Sequence, residues 1–126
     1  MPGASAWYLG GGIIYTKVGR EALMGIGAAE VKGMRSASEP YAQLLARRVR
    51  EKLGATWGLS ETGASGPTGN RYGDAPGHAC IAVSGPAFLP QDSVITLETG
   101  SPDRAANMRA FTRRALELLA SCLQKG

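Results

Sequence analysis

Histidine and cysteine are scarce in this 126-residue sequence, which holds one histidine and two cysteines. The cysteines lack C-x-x-C spacing and no carboxylates cluster around the histidine, so the sequence offers no zinc-ligand pattern. Cys80 and Cys122 both stand in apolar contexts, which predicts buried free thiols and a reducing, cytoplasmic setting. We therefore expect no zinc site.

Long apolar runs are lacking as well. No stretch approaches the roughly 18 apolar residues that a membrane span needs. The N-terminal residues 1–7 have neither the basic region nor the apolar region of a secretory signal. We expect no membrane association and one domain, residues 1–126, large enough to bury a core.

The net charge of +4 raises the possibility of nucleic-acid binding. The basic excess lies on predicted helices, however, because residues 54–100 carry one basic and four acidic groups. A nucleic-acid groove on that region would need basic groups interleaved with aromatic ones. The charge pattern therefore disfavours nucleic acid as the partner.

Glycine is abundant, with 18 residues, and it concentrates between two predicted strands. From Gly63 to His78 there is no apolar periodicity, and loops of this length in compact domains are usually functional or disordered. Arg71, Tyr72 and Asp74 set the segment apart from low-complexity filler, so we interpret it as a binding loop. It matches neither the P-loop nor the Rossmann pattern, and a long turn without function is the alternative.

Apolar periodicity and turn residues predict alternating helices and strands. Ser38 opens a helix that carries apolar residues at helical spacing (Tyr41, Leu44, Leu45, Val49 and Leu53) and ends at Gly54. A short helix is predicted at residues 19–23, with its end near Gly25 or Gly27. A final helix follows Ser101, with the apolar stripe Met108, Phe111, Ala115, Leu118, Leu119 and Cys122. Strands are predicted at residues 13–15, 57–60, 80–83 and 94–97, with a connection at 32–37 and a turn at 84–90. This interleaving indicates an α/β domain with helices packed on a sheet.

Five runs resemble the C-terminal domain of the CinA family, in the family's order and close to its spacing. They are residues 3–8 (GASAWY), 12–16 (GIIYT), 38–40 (SEP), 59–67 (LSETGASGP) and 77–82 (GHACIA). The resemblance implies a mixed β-sheet flanked by helices and a nicotinamide-nucleotide amidohydrolase, which converts nicotinamide mononucleotide to nicotinic acid mononucleotide and ammonia. It also implies no cofactor, no catalytic metal and commonly a homodimer.

The resemblance also suggests which residues form the site. The family's tyrosine falls on Tyr15 and its lysine on Arg20, so these are the predicted catalytic positions. The family's glycine and proline loop gives the predicted substrate-binding residues Thr62, Gly63, Ser65, Gly66, Pro67, Gly69, Arg71, Gly77 and His78.

Two departures from the family pattern bear on the chemistry. Family members carry an upstream strand and helix with a Ser-Cys-Thr-Gly-Gly motif whose serine is the proposed nucleophile, and this sequence starts after it. We therefore expect an N-terminally short domain whose hydrolytic activity is impaired. The guanidinium of Arg20 stays protonated and cannot act as a base, although Lys17 could replace the family's lysine. Thr62 or Ser65 with His78 and Asp74 could form a substitute catalytic arrangement.

Two other functions remain open at the level of the sequence. One is a non-catalytic nucleotide-binding module of the same fold, because an arginine near Tyr15 could pair with a phosphate. The other is a competence-related nucleic-acid role, suggested by the basic charge and by the family's historical name.

Overall fold

The structure is a computed structural model that describes residues 1–86 and 93–125. Three helices run over Lys17–Met24 (α1), Glu39–Leu53 (α2) and Arg104–Lys125 (α3). Three strands run over Gly58–Ala64 (β1), His78–Ser84 (β2) and Val94–Glu98 (β3), and short 3-10 helices lie at Ala4–Ala6 and Ala28–Val31. The predicted turn at 84–90 falls mostly outside the described residues.

The strands form one antiparallel sheet in the order β1-β2-β3. Successive side chains of β2 point to opposite faces of the sheet. Ile81 and Val83 pack against α3, whereas Cys80 and Ala82 pack against α2. The predicted α/β class, with helices packed on a sheet, is confirmed. All the strand pairs in the described chain are antiparallel, although the resemblance implied a mixed sheet.

Helix α2 has the predicted ends. Ser38 accepts a hydrogen bond from the backbone N–H of Tyr41, and Gly54 ends the helix in the left-handed conformation. Its contact with the sheet is made by Ala42 and Ala46, which are fully buried. Of the predicted apolar residues Tyr41, Leu44, Leu45, Val49 and Leu53, only Tyr41 is buried, because the small alanines let the helix approach the strands closely.

Helix α3 covers the other face of the sheet. Its buried residues are Asn107, Phe111, Ala115, Leu118 and Cys122. The predicted stripe is correct except at its first position, since Met108 is 52% exposed and Asn107 takes the buried place.

The predicted strand at residues 13–15 is wrong. Residues 8–15 form no regular element, and Ile13 and Tyr15 are 87% and 84% exposed. The β-branched run lacks a partner because the described sheet ends at β1 on one side and β3 on the other. The short helix that follows is confirmed as α1, which is capped by Thr16 and ends at Gly25.

Candidate functional site

The glycine-rich segment is the connection of a β-hairpin. Gly63 and Ala64 belong to β1 and pair with Ala79 and His78 of β2, so the strands reach further into the segment than the sequence suggested. The connection itself is residues 65–77, named the hairpin loop below. Because β1 and β2 are antiparallel neighbours, both ends of this loop lie at the same end of the sheet.

The start of the hairpin loop is held by helix α3. The Asn107 side chain is 1% exposed and donates from Nδ2 to the backbone oxygen of Ser65 at 2.9 Å. Arg104, one turn earlier, donates to Ser65 Oγ at 2.8 Å and to the Gly66 oxygen at 3.0 Å. Two α3 side chains therefore fix the two residues that leave β1.

The end of the hairpin loop is held by the residues after β3. Gly77 donates to the Ala64 oxygen at 2.8 Å and accepts from Thr99 N at 3.1 Å. Its φ of +92° lies in the left-handed region, and a Cβ there would stand 2.0 Å from Thr99 Oγ1. Only glycine satisfies both constraints. Thr99 Oγ1 in turn donates to Asn107 Oδ1, so both ends of the loop converge on one buried amide.

The tip of the hairpin loop is a closed turn organised by Asn70. Asn70 Oδ1 accepts from the backbone N–H of Tyr72 at 3.0 Å and of Asp74 at 3.2 Å. Arg35 binds both carboxylate oxygens of Asp74, at 2.5 and 3.1 Å. The pKa of Asp74 is lowered, chiefly by the hydrogen bond from Arg35. The tip is therefore attached to the segment before α2.

His78, the first residue of β2, is buried beneath the loop with 4% exposure. Its Nδ1 lies 2.5 Å from Glu98 Oε1, its Nε2 lies 2.7 Å from the Ala37 oxygen, and Asp74 Oδ2 is 3.6 Å from Nε2. Burial lowers the pKa of His78, but the Ala37 and Glu98 acceptors and the charge of Asp74 outweigh burial and raise the pKa overall. Both ring nitrogens face acceptors, which is the environment of an imidazolium.

The substitute catalytic arrangement is not assembled. Thr62 Oγ1 accepts from Ala37 N and Ser65 Oγ accepts from Arg104, while Glu98 and Ala37 occupy the two nitrogens of His78. Cys80 Sγ lies 3.9 Å from His78 Nε2, but the thiol is 1% exposed and burial raises its pKa. Both ring nitrogens of His78 face acceptors and this thiol is inaccessible, so the cluster does not pair an accessible nucleophile with a base.

Arg71 projects from the loop tip without a carboxylate partner among the described residues. Its guanidinium carbon lies 5.1 Å from the centroid of the Tyr72 ring, and that of Arg35 lies 5.3 Å from it. Arg71 also donates to the Tyr72 hydroxyl at 3.0 Å, and this is the largest cause of the lowered pKa of Tyr72. Arg35 is neutralised by Asp74, so Arg71 is the cation of the tip that lacks an acidic partner in the part of the chain that the structure describes.

The two predicted catalytic positions lie outside this network. Tyr15 is 84% exposed on the irregular segment before α1. Arg20 is 8% exposed and donates from Nε to the Ile26 oxygen at 3.1 Å. Helix α1 packs on α2. The catalytic roles of Tyr15 and Arg20 stay predictions.

The structure places the predicted substrate-binding residues unevenly. Thr62 and Gly63 belong to β1 and His78 opens β2, whereas the remaining predicted residues lie in the hairpin loop: Ser65, Gly66, Pro67, Gly69, Arg71 and Gly77. Sequence reasoning missed the residues that hold the loop, which are Arg35, Glu98, Thr99, Arg104 and Asn107. Only Asn107 had a readable signal, because it is a polar residue spaced four before Phe111 on the buried stripe of α3.

No group of three or more His, Cys, Asp or Glu side chains in residues 1–86 and 93–125 is placed to hold a metal ion. In the same ranges, no helix combines the length and apolar character needed to cross a bilayer.

The profile of the CinA C-terminal domain matches residues 1–123. The chain belongs to the CinA C-terminal domain family. A CinA-like protein of Chlorobium limicola is 34% identical over 99% of this chain, and one of Anaeromyxobacter sp. (strain Fw109-5) is 36% identical over 98%. The chain spans 29% of the length of each of these two relatives.

Solved CinA structures share the fold. A CinA superfamily protein from Escherichia coli gives a TM-score of 0.73 at 19% identity, covering 84% of this chain and 59% of that one. One from Klebsiella pneumoniae 700603 gives 0.73 at 18% identity, covering 89% and 68%. At these identities the likeness supports the fold alone.

Proposed function

We propose that this CinA domain binds a pyridine nucleotide, nicotinamide mononucleotide or a close relative, through the hairpin loop. The observation that carries the proposal is a loop fixed at both ends through the buried Asn107 side chain that still presents one cation, Arg71, without an acidic partner in residues 1–86 and 93–125. Loops held on a rigid scaffold are the usual place for binding residues. Family membership supplies the substrate class, through the activity that the resemblance implies.

Arg71 is suited to the phosphate end of such a ligand. A guanidinium pairs with phosphate through two parallel hydrogen bonds, and charge-assisted bonds of this kind are about twice as strong as neutral ones. Stacking on Tyr72 orients the guanidinium before the ligand arrives. The Tyr72 ring, 37% exposed, offers a surface for the base or ribose.

Hydrolysis of the carboxamide is the second candidate function. Family membership favours it, as does the solvent-accessible ring of Tyr15, which falls on the family's tyrosine. An acyl-enzyme route needs a nucleophile, a proton acceptor and donors for the oxyanion. The described residues do not pair an accessible nucleophile with a base at the loop. The hydroxyls of Ser65 and Thr62 accept hydrogen bonds from Arg104 and from the Ala37 backbone N–H, and the Cys80 thiol is buried. We therefore expect binding without measurable ammonia release by this chain.

Calorimetry with nicotinamide mononucleotide tests the binding, with nicotinamide riboside as the ligand that lacks the phosphate. We expect Arg71→Ala to weaken binding of the mononucleotide about tenfold or more and to leave the riboside unaffected. Arg113→Ala removes the same charge from the exposed face of α3 and should change neither affinity. Absence of mononucleotide binding by the wild-type chain would refute the proposal.

An ammonia assay on the same samples separates the two candidate functions. Ammonia release at the background rate, together with binding of the mononucleotide, supports the non-catalytic module. Turnover that falls in Tyr15→Phe would instead establish hydrolysis and assign the tyrosine a role in it.

A further inference from the structure

Asn107 is a polar residue at a buried position of α3, where an apolar residue would be expected from packing alone. It takes the first place on the buried stripe of α3 and is 1% exposed. Burying an amide without hydrogen-bond partners is unfavourable, because the amide loses its hydrogen bonds to water. Its burial is therefore explained by its hydrogen bonds, and the identities of its partners indicate its role.

The Asn107 side chain has three hydrogen-bond partners, one in the hairpin loop and two in the connection between β3 and α3. Nδ2 donates to the Ser65 oxygen at 2.9 Å and to the Ser101 oxygen at 2.8 Å, and Oδ1 accepts from Thr99 Oγ1 at 2.5 Å. Ser65 is the first residue of the loop. Thr99 and Ser101 form the connection against which Gly77, its last residue, is packed.

The same amide thus sets the separation between the two ends of the loop. A Cβ at Gly66 would stand 2.9 Å from the Pro102 oxygen and one at Gly77 would stand 3.3 Å from the Ser101 oxygen, so both limbs of the loop rest on the connection that Asn107 fixes. Ser101 N also donates to Thr99 Oγ1, which holds that connection closed. Arg104 of α3 also contacts the start of the loop, but the Asn107 side chain is the one that bonds both to the loop and to the connection after β3.

We propose that Asn107 is the positioning residue of the hairpin loop. Without touching the ligand, it holds residues 65–67 in the conformation that binds, so that ligand affinity depends on it. The part of this inference that concerns the ligand rests on the proposed function, whereas the part that concerns the loop does not.

Asn107→Asp is the sharpest variant, because it keeps the side-chain shape but turns a carboxylate oxygen towards the carbonyl oxygens of Ser65 and Ser101. Thr99→Val is the milder second variant, since it removes the hydroxyl that donates to Asn107 and keeps the branched shape. Thr112→Ala is the matched control, because it removes a hydrogen bond to the Met108 oxygen within α3, away from the loop.

Amide hydrogen exchange measures the loop, and calorimetry with nicotinamide mononucleotide measures binding. In Asn107→Asp we expect exchange in residues 65–77 to speed up about tenfold or more relative to Thr112→Ala, with exchange in α2 unchanged, and affinity to fall by a similar factor. Thr99→Val should show the same changes in loop exchange and in affinity, but smaller ones. If Asn107→Asp does not fold, Thr99→Val decides the outcome alone.

Unchanged loop exchange, or an equal rise in the loop and in α2, would overturn the inference, because Asn107 would then serve only the core. Faster loop exchange in Asn107→Asp with unchanged mononucleotide affinity would overturn the part of the inference that concerns the ligand, because binding would then not depend on the loop conformation that Asn107 holds. If the wild-type chain does not bind the mononucleotide, the proposed function fails, and the loop-selective exchange still decides whether Asn107 positions the loop.

Discussion

The buried imidazole of His78 predicts that this domain loses stability as the pH rises through neutrality. The groups that face it are Glu98 on β3, Asp74 in the hairpin loop with its partner Arg35, and Cys80 on its own strand. Together with the Ala37 oxygen, they raise the pKa of His78 in the folded state. In the unfolded chain a histidine titrates near 6.5.

The sign of the effect follows from proton linkage. Between the unfolded and folded pKa values the folded state binds more protons than the unfolded state, so the free energy of unfolding falls with increasing pH. The contribution is fully present below about pH 6.5 and is lost as the pH passes the folded pKa of His78. Because the chain has one histidine, the slope from this source is at most about 1.4 kcal/mol per pH unit.

Urea unfolding at several pH values between about 6 and 9 measures this slope, and His78→Gln provides the matched comparison. Glutamine keeps an N–H that can donate to the Ala37 oxygen but does not titrate. Every other ionisable group is common to the two chains, so the difference between their slopes isolates His78. Glu98→Gln, which removes one facing charge and keeps the histidine, should give an intermediate slope.

NMR titration of the imidazole protons supplies the folded pKa directly, and we expect a midpoint above 6.5. Equal slopes for wild type and His78→Gln would refute the reasoning. A midpoint at or below 6.5 would do the same, because burial would then outweigh the Ala37 and Glu98 acceptors and the nearby charge of Asp74.

The remaining predictions concern Gly77 and the N-terminal segment. Gly77→Ala should destabilise the chain by roughly 1–3 kcal/mol more than Gly100→Ala in urea unfolding, because both glycines have positive φ but only a Cβ at position 77 meets Thr99; equal losses would show that this contact does not limit the site. If the homodimer implied by the resemblance exists, Ile13, which is 87% exposed, is a candidate for its interface. Light scattering should then find that Ile13→Asp is a monomer. The control Leu123→Asp, on the exposed side of α3, should remain a dimer. A monomeric wild-type chain would contradict that expectation.

The elements that the sequence predicted well are those with local signals. Ser38 and Gly54 bracket α2 because a side-chain cap and a left-handed glycine act within one turn of the helix end. The two strands around the glycine-rich segment were also predicted, since their composition favours an extended chain. Residues 13–15 are β-branched and aromatic, which also favours an extended chain, yet they form no strand, because a strand requires a neighbour and composition does not provide one.

The candidate site was predicted only where its signals are local to the sequence. The loop was visible as a break in periodicity, and Gly77 was named in it. The contact that requires glycine there is made with Thr99, which follows β3 and lies about 20 residues further along the chain. His78 was named as a site residue, but its partners were not predicted. Nε2 lies against the Ala37 oxygen, and Glu98, the partner of Nδ1, is brought alongside by strand pairing.

The hairpin loop is anchored through both layers of helices. His78 lies on the α2 side with Ala37 and Cys80, and Asn107 reaches the loop from α3 on the opposite side. Apolar residues at either position would avoid the cost of desolvating a polar group. The presence of His78 and Asn107 is therefore better explained by the loop contacts that they make than by a contribution to core stability. A loop ordered in advance loses less conformational entropy when a ligand binds, by about 0.5–1.5 kcal/mol for each side chain already held. Because Arg71 is the charged group that the ordered tip leaves without an acidic partner among the described residues, we expect this lower entropy cost to favour an anionic ligand.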